Sequence, residues 1–268
     1  MNKYLAIIDG KTAAISALCV GVTYGCYYFD IAYDINITLF SIAVVFPLVF
    51  TIREAFKRRD NALKFLSQFK SGVFAVAYCL EQCKKLDAAQ RHEATGLLNT
   101  VSERFFQALD TEDGDIRGAE DAVSDLIQFI RRNSKAISNG NALKIIRFVQ
   151  DIHEGMENTI CIKSHGTPIS MRAYCLVFVF LFPFVFAPTI VYHLPDAPGV
   201  LIYGIAILHG FVLISLFNVQ KQMENPFDQV GLDDIHLKEF HFHVEPHGSL
   251  PPPPSPRSGA TDMVTESG

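Results

Sequence analysis

Residues 35–52 form an uncharged run of eighteen that passes straight into Arg53, Glu54, Lys57, Arg58, Arg59 and Asp60, with no Gly or Pro at the junction. Eighteen apolar residues in a helix are enough to cross the hydrocarbon core of a bilayer, about 30 Å thick. The basic flank marks the side on which the helix emerges as cytoplasmic. A chain holding such a segment must place its other elements around a membrane helix that continues, unbroken, into a polar region. Within the run, Ile42, Phe46 and Phe50 recur at i, i+4 and i+8, which lines up three bulky apolar groups on one face. Pro47 lies between them and removes one backbone donor. A line of this kind is either packing surface or, repeated around a ring of subunits, a narrow apolar neck.

Three further runs have the same character: residues 12–29, 173–192 and 199–219. The third contains Pro183 and Pro188, predicted to kink it or end it early. The fourth holds one ionisable residue, His209, a functional candidate because such groups are expensive in a membrane; the alternative is a neutral ring bonded to a neighbouring helix. Gly21 and Gly25 stand four apart in the first run, a spacing that allows close approach of another helix. The turns at 30–36 and 193–198 contain no Lys or Arg, whereas residues 53–163 hold 17 of the 23. Four spans with both termini and the middle region cytoplasmic satisfy this asymmetry. The expectation is a multi-pass protein of the cell membrane, surrounded by lipid, whose N-terminus is not a cleavable signal.

The middle region reads as helical. Phe56, Leu63, Leu66, Phe69, Val73 and Val76 recur at helical spacing, as do Leu97, Leu98, Val101, Phe105 and Leu109. Further helices are predicted over 119–137 and 142–156, separated by Ser138-Asn139-Gly140-Asn141. The fold class is therefore all-α. The predicted divisions are 1–52 (lead-in and spans one and two), 53–166 (cytoplasmic helical region), 167–221 (spans three and four), 222–249 (cytoplasmic C-terminal segment) and 250–268 (Pro-rich disordered tail).

A hydrophobic content of 49% with 22 Phe suits a membrane protein with a sizeable polar portion. The net charge of −5 argues against a nucleic-acid partner. Six Cys without a CxxC predict free thiols; Cys79 and Cys83 share a helix face and are read as packing. No phosphate loop, HExxH, GxSxG or nucleophile–base spacing appears, so no catalytic residues are assigned and an enzyme is not expected.

Three segments flank the spans: Gln222-Met223-Glu224-Asn225-Pro226-Phe227 followed by Asp233-Asp234-Ile235; Thr167-Pro168-Ile169-Ser170-Met171-Arg172-Ala173-Tyr174, preceded by Cys161; and Phe50 with Phe56-Lys57-Arg58 and Ala62. Together they resemble the bestrophin family of pentameric ion channels. Their order covers about residues 1–245. The chain departs from the family in having no Trp, and Asp228 in place of the Gly after Asn-Pro-Phe.

The resemblance implies a homopentamer around a central pore that passes chloride or other small anions, with Ile42, Phe46 and Phe50 as the pore neck. It implies a second, cytoplasmic aperture, set at Ile145 with Ile146 and Leu143 adjacent; the alternative is a core position. Asp228, Asp233 and Asp234 fall where animal bestrophins bind regulatory Ca²⁺, although six to eight oxygens must converge and an acidic turn also simply faces water. No other cofactor or metal is implied. His236, His241, His243 and His247 offer Zn²⁺ donors, against a solvated, pH-sensitive segment. The competing readings of the whole chain are a non-conducting membrane interaction protein and a small transporter, the latter disfavoured because the two hairpins show no internal repeat.

Overall fold

In the computed structural model, residues 8–111, 114–228 and 234–244 are described. They form eight α-helices and one 3₁₀ turn, with no strand among the described residues. The helices are α1 (Gly10–Phe29), α2 (Ile37–Glu81), α3 (Ala88–Asp110), α4 (Arg117–Arg132), α5 (Ser134–Ile137), α6 (Asn139–Ser164), α7 (Ile169–His193) and α8 (Gly199–Gln222). Four of them, α1, α2, α7 and α8, supply segments long and apolar enough to cross a membrane. As the absence of a break at residue 53 predicts, α2 runs for 45 residues through both halves of the molecule.

Local chemistry sets the ends. Asp9 caps α1 by accepting the N–H groups of Lys11 (2.9 Å) and Thr12 (3.1 Å), and Asp87 forms the same kind of capping box with Gln90 on α3. The Asn36 side chain accepts the Leu39 N–H at the start of α2. Asp30 takes up a left-handed conformation (φ 53°) that turns the chain out of α1. Lys163 donates to the carbonyls of Ala108, Leu109 and Thr111, a cation on the negative end of α3.

Two cores result. The first joins Ile15, Val44, Leu48, Val179, Phe182, Ile214 and neighbours across α1, α2, α7 and α8. The second, larger one packs the distal half of α2 against α3, α4 and α6. There α6 lies on α2 at backbone distance: a Cβ on Gly155 would stand 2.8 Å from Phe69 N and 3.0 Å from Phe65 O. In the first core the close approach is at Gly210 of α8, where a Cβ would meet Cys19 Sγ at 2.6 Å. Gly21 and Gly25, the predicted contact pair, face open space instead.

Other expectations are also corrected. Pro183 and Pro188 are both buried and do not end α7 early, since the helix continues to His193. Residues 139–141 do not separate two helices: they open α6, and the break is at Ser138, whose φ is 66°. Phe56, placed on the packing stripe by periodicity, is 49% exposed. All six cysteines are free.

Candidate functional site

Each span leaves large apolar side chains exposed, among them Tyr28, Val177 and Val200, and on α2 the exposed side includes the three residues read as a neck. Val44, Leu48, Thr51 and Ala55 form the buried line, set against α7 and α8. On the other side Ile42, Phe46 and Phe50 are 47%, 56% and 52% exposed, and Leu39 and Val49 extend the surface. The helical rise of 1.5 Å per residue makes the line from Ile42 to Phe50 about 12 Å long. The rings of Phe46 and Phe50 lie edge to face with centroids 6.0 Å apart. Pro47, between them, is accommodated without ending the helix. The structure thus brings the three predicted neck residues onto one face that stays about half exposed among the described residues. Beside this helix, Tyr174 of α7 donates its hydroxyl to Ala43 O at 3.2 Å. The turns at the far ends of the two hairpins meet through His193 Nε2 and Asp34 Oδ1, 3.0 Å apart.

Ile145 takes the core position given as the alternative for it: its side chain is fully buried, packed within the second core. The exposed apolar side chains at this level of α6 are Leu143, two residues before Ile145, and Ile146, directly after it.

The turn after α8 is closed by the Ile235 N–H donating to Pro226 O at 2.9 Å. Asp228 is exposed and Asp234 half-buried at its two ends, while Asp233 lies outside the described residues. Two carboxylates do not complete the six to eight oxygens Ca²⁺ requires, and the described residues show no fuller cage. Beyond the turn, the chain is strapped onto the second core rather than solvated. Phe242 and Val244 are buried, the Phe242 N–H donates to Ser102 Oγ at 2.9 Å, and Asn99 holds both backbone groups of Val244.

His241 stacks on Phe106 with centroids 3.9 Å apart. His241 is exposed as a whole, but the partial burial of its ring pushes its pKa down, against the opposing charges of Asp110 and Glu103. His236 and His243 are exposed, and His247 lies outside the described residues, as does the 250–268 tail. The group of metal-type donors that does converge among the described residues is Glu120 of α4 with His153 and Glu157 of α6, all exposed and within 4.8 Å of one another. Sequence spacing reveals the His153–Glu157 pair on one helix face but gives no sign of Glu120, which packing alone brings there. His209, the ionisable group within the fourth span, bonds through Nδ1 to Ile205 O at 3.0 Å and lies against Phe186. It borders a cavity of about 400 Å³ lined also by Ser41, Val45, Phe182 and Leu213.

No protein-family model matches the chain, and no curated protein does. Solved structures do. A bacterial bestrophin homologue from Klebsiella pneumoniae, in a form with one tyrosine changed to alanine, superposes with a TM-score of 0.72 at 12% identity, over 86% of this chain and 95% of that one. A form with one tryptophan changed to alanine gives 0.73 at 13% identity, over 86% and 92%. The form phased on zinc gives 0.72 at 11% identity, over 85% and 92%. At such identities the likeness is one of fold, and it extends over nearly the whole of those chains. This all-helical membrane protein has the bestrophin fold.

Proposed function

We propose that the protein is a bestrophin-like ion channel, a homopentamer through which small anions such as chloride pass passively along an axial pore. The observation that carries this reading is the half-exposed line Ile42, Phe46 and Phe50 on a helix whose opposite side is packed to completion. Five copies of α2 arranged with that line inward would form an apolar neck. A ring of apolar groups gates by excluding water, and the positive edges of phenyl rings suit a partly dehydrated anion. Anion preference rests on the sequence resemblance given above. Below the neck, Leu143 and Ile146 take the place of Ile145 as the residues assigned to a second aperture. In this reading residues 53–163 and both termini are cytoplasmic. No resident cofactor is assigned; Ca²⁺ at Asp228, Asp233 and Asp234 would show as a chelator-sensitive current.

The test has two parts. Mass measurement of the detergent-solubilised particle is expected to give five copies, and a monomer or dimer would overturn the reading in favour of a non-conducting interaction protein. Single-channel recording in asymmetric chloride is expected to show a reversal potential that follows the anion gradient. A reversal that follows the cation gradient would overturn the anion assignment and keep the channel.

A further inference from the structure

The buried line of α2 does not end where the apolar residues do. After Val44, Leu48, Thr51 and Ala55 the same spacing arrives at Arg58, which faces the ends of α6, α7 and α8 and not the exposed stripe. Arg58 Nη2 donates to Ile162 O at 2.7 Å. Beside it Arg172, at the start of α7, donates through Nη1 to Glu224 Oε2 at 2.8 Å. The other oxygen of Glu224 accepts the Thr167 N–H at 3.2 Å. Glu224 is thus paired with Arg172, and Arg58 lies close enough to feel Glu224 as an attractive and Arg172 as a repulsive charge.

The hydrogen bonds do not close either. Arg58 Nε and Nη1, Arg172 Nε and the hydroxyl of Thr167 are buried with no partner. Buried donors on charged groups are costly when left unmet, and a net positive charge in such a place calls for acceptor oxygens carrying negative charge. On the outer side lies Gly166, which is exposed. A Cβ there would stand 3.1 Å from Glu224 Oε1 and 3.7 Å from Arg58 Nη1, so the Gly166 backbone lies directly against both groups and covers them from solvent.

The location narrows the ligand. Arg172 directly precedes the uncharged run of α7, and Glu224 lies just past the end of α8, so the cluster stands at the edge of the apolar layer. Basic pockets between membrane helices at this level accept phosphate head groups, and the planar guanidinium fork matches phosphate oxygens.

We propose that Arg58, Arg172 and the Thr167 hydroxyl form a phosphate-binding site at the membrane edge, taking the headgroup phosphate of an anionic phospholipid or a free phosphate ion. The full chain in detergent is probed with phosphatidylglycerol, with phosphatidylcholine and with inorganic phosphate, reading retained ligand by native mass spectrometry and the shift in melting temperature. Retention and stabilisation by phosphatidylglycerol over phosphatidylcholine identify a lipid. Stabilisation by inorganic phosphate alone identifies the free ion. Arg58→Gln is expected to lower retention about tenfold, the equivalent of one lost charged hydrogen bond. Gly166→Val removes no charged group but crowds the cluster from its exposed side, against Glu224 Oε1 and Arg58 Nη1, so it is expected to lower retention while particle mass stays unchanged, even where Arg58→Gln fails to fold. The site is refuted when no probe binds, or when binding survives Gly166→Val undiminished.

Discussion

Phe46 and Phe50 touch edge to face, one helical turn apart, on the side of α2 that stays about half exposed among the described residues. Two turns of the same helix therefore carry both kinds of apolar surface: Leu48 is wholly buried among α7 and α8 residues, while the two rings beside it are half exposed. Changing Ile42, Phe46 and Phe50 together to Ala should leave the oligomer intact and raise open probability or conductance, because the neck becomes wider and wetter. Leu48→Ala should instead cost about 2–5 kcal/mol of stability through the cavity it leaves. Recording and thermal unfolding of the two variants side by side separate the roles. An unstable triple variant, or an intact one with unchanged currents, refutes the neck.

Gly155 seats α6 on the backbone of α2. With a Cβ 2.8 Å from Phe69 N, a position with no rotamer to adjust, Gly155→Ala has to push the helices apart. A destabilisation of about 1–3 kcal/mol is expected from overpacking. Chemical denaturation checks it, with Gly96→Ala, which meets nothing within 4 Å, as the control.

Asn218 of α8 donates to Asp9 Oδ1 at 3.0 Å and to Thr12 Oγ1 at 3.2 Å, joining α8 to the cap of α1. Burial raises the pKa of Asp9, but the bonds from Asn218, Thr12 and Lys11 outweigh it and hold the carboxyl below its usual value. A carboxyl depressed in the folded state stabilises above its unfolded pKa, and that contribution fades as pH falls through the folded one. Asp9→Ala is expected to cost about 0.5–2 kcal/mol at neutral pH. The difference from the unmodified protein should shrink in unfolding measured below about pH 4.

His241 gives the C-terminal strap a second pH dependence. Partial burial beside Phe106 disfavours its charged form, although Asp110 and Glu103 pull the other way. A histidine with a lowered folded pKa binds its proton more readily when released, so docking weakens as pH drops through the ordinary value of 6.5. Amide exchange across 241–244 should accelerate between about pH 7.5 and 5.5, the range that brackets an unperturbed histidine. His241→Phe, which keeps the stack and removes the proton, should abolish the change.

The two short turns meet through Asp34 and His193, which puts them on one side. Cysteine at Asp34 or Asp196 should react with an impermeant thiol reagent added outside intact cells, and cysteine at Asp115 should not. Labelling at Asp115 from outside would reverse the orientation.

The four apolar segments, their short turns and the passage of α2 into a basic flank were all legible in the residues alone. Each is a local property: a run of uncharged side chains long enough for a bilayer, or the absence of a helix-breaking residue at position 53. The in-line placement of Ile42, Phe46 and Phe50 was legible for the same reason, since helix geometry fixes which residues share a face. Which face is covered is a different matter, because it depends on partners more than a hundred residues away. Periodicity could not tell buried Ile145 from exposed Ile146, or foresee that Phe56 is left out of the core. Nor could it reveal that helices approach at Gly155 and Gly210, not at Gly21 and Gly25. Arg58 shows the limit most plainly. In the sequence it is one of several basic residues on the flank of a span. Only tertiary structure brings it to Ile162, Arg172 and Glu224, because the ends of α6, α7 and α8 lie around the same turn of α2 and partly bury it.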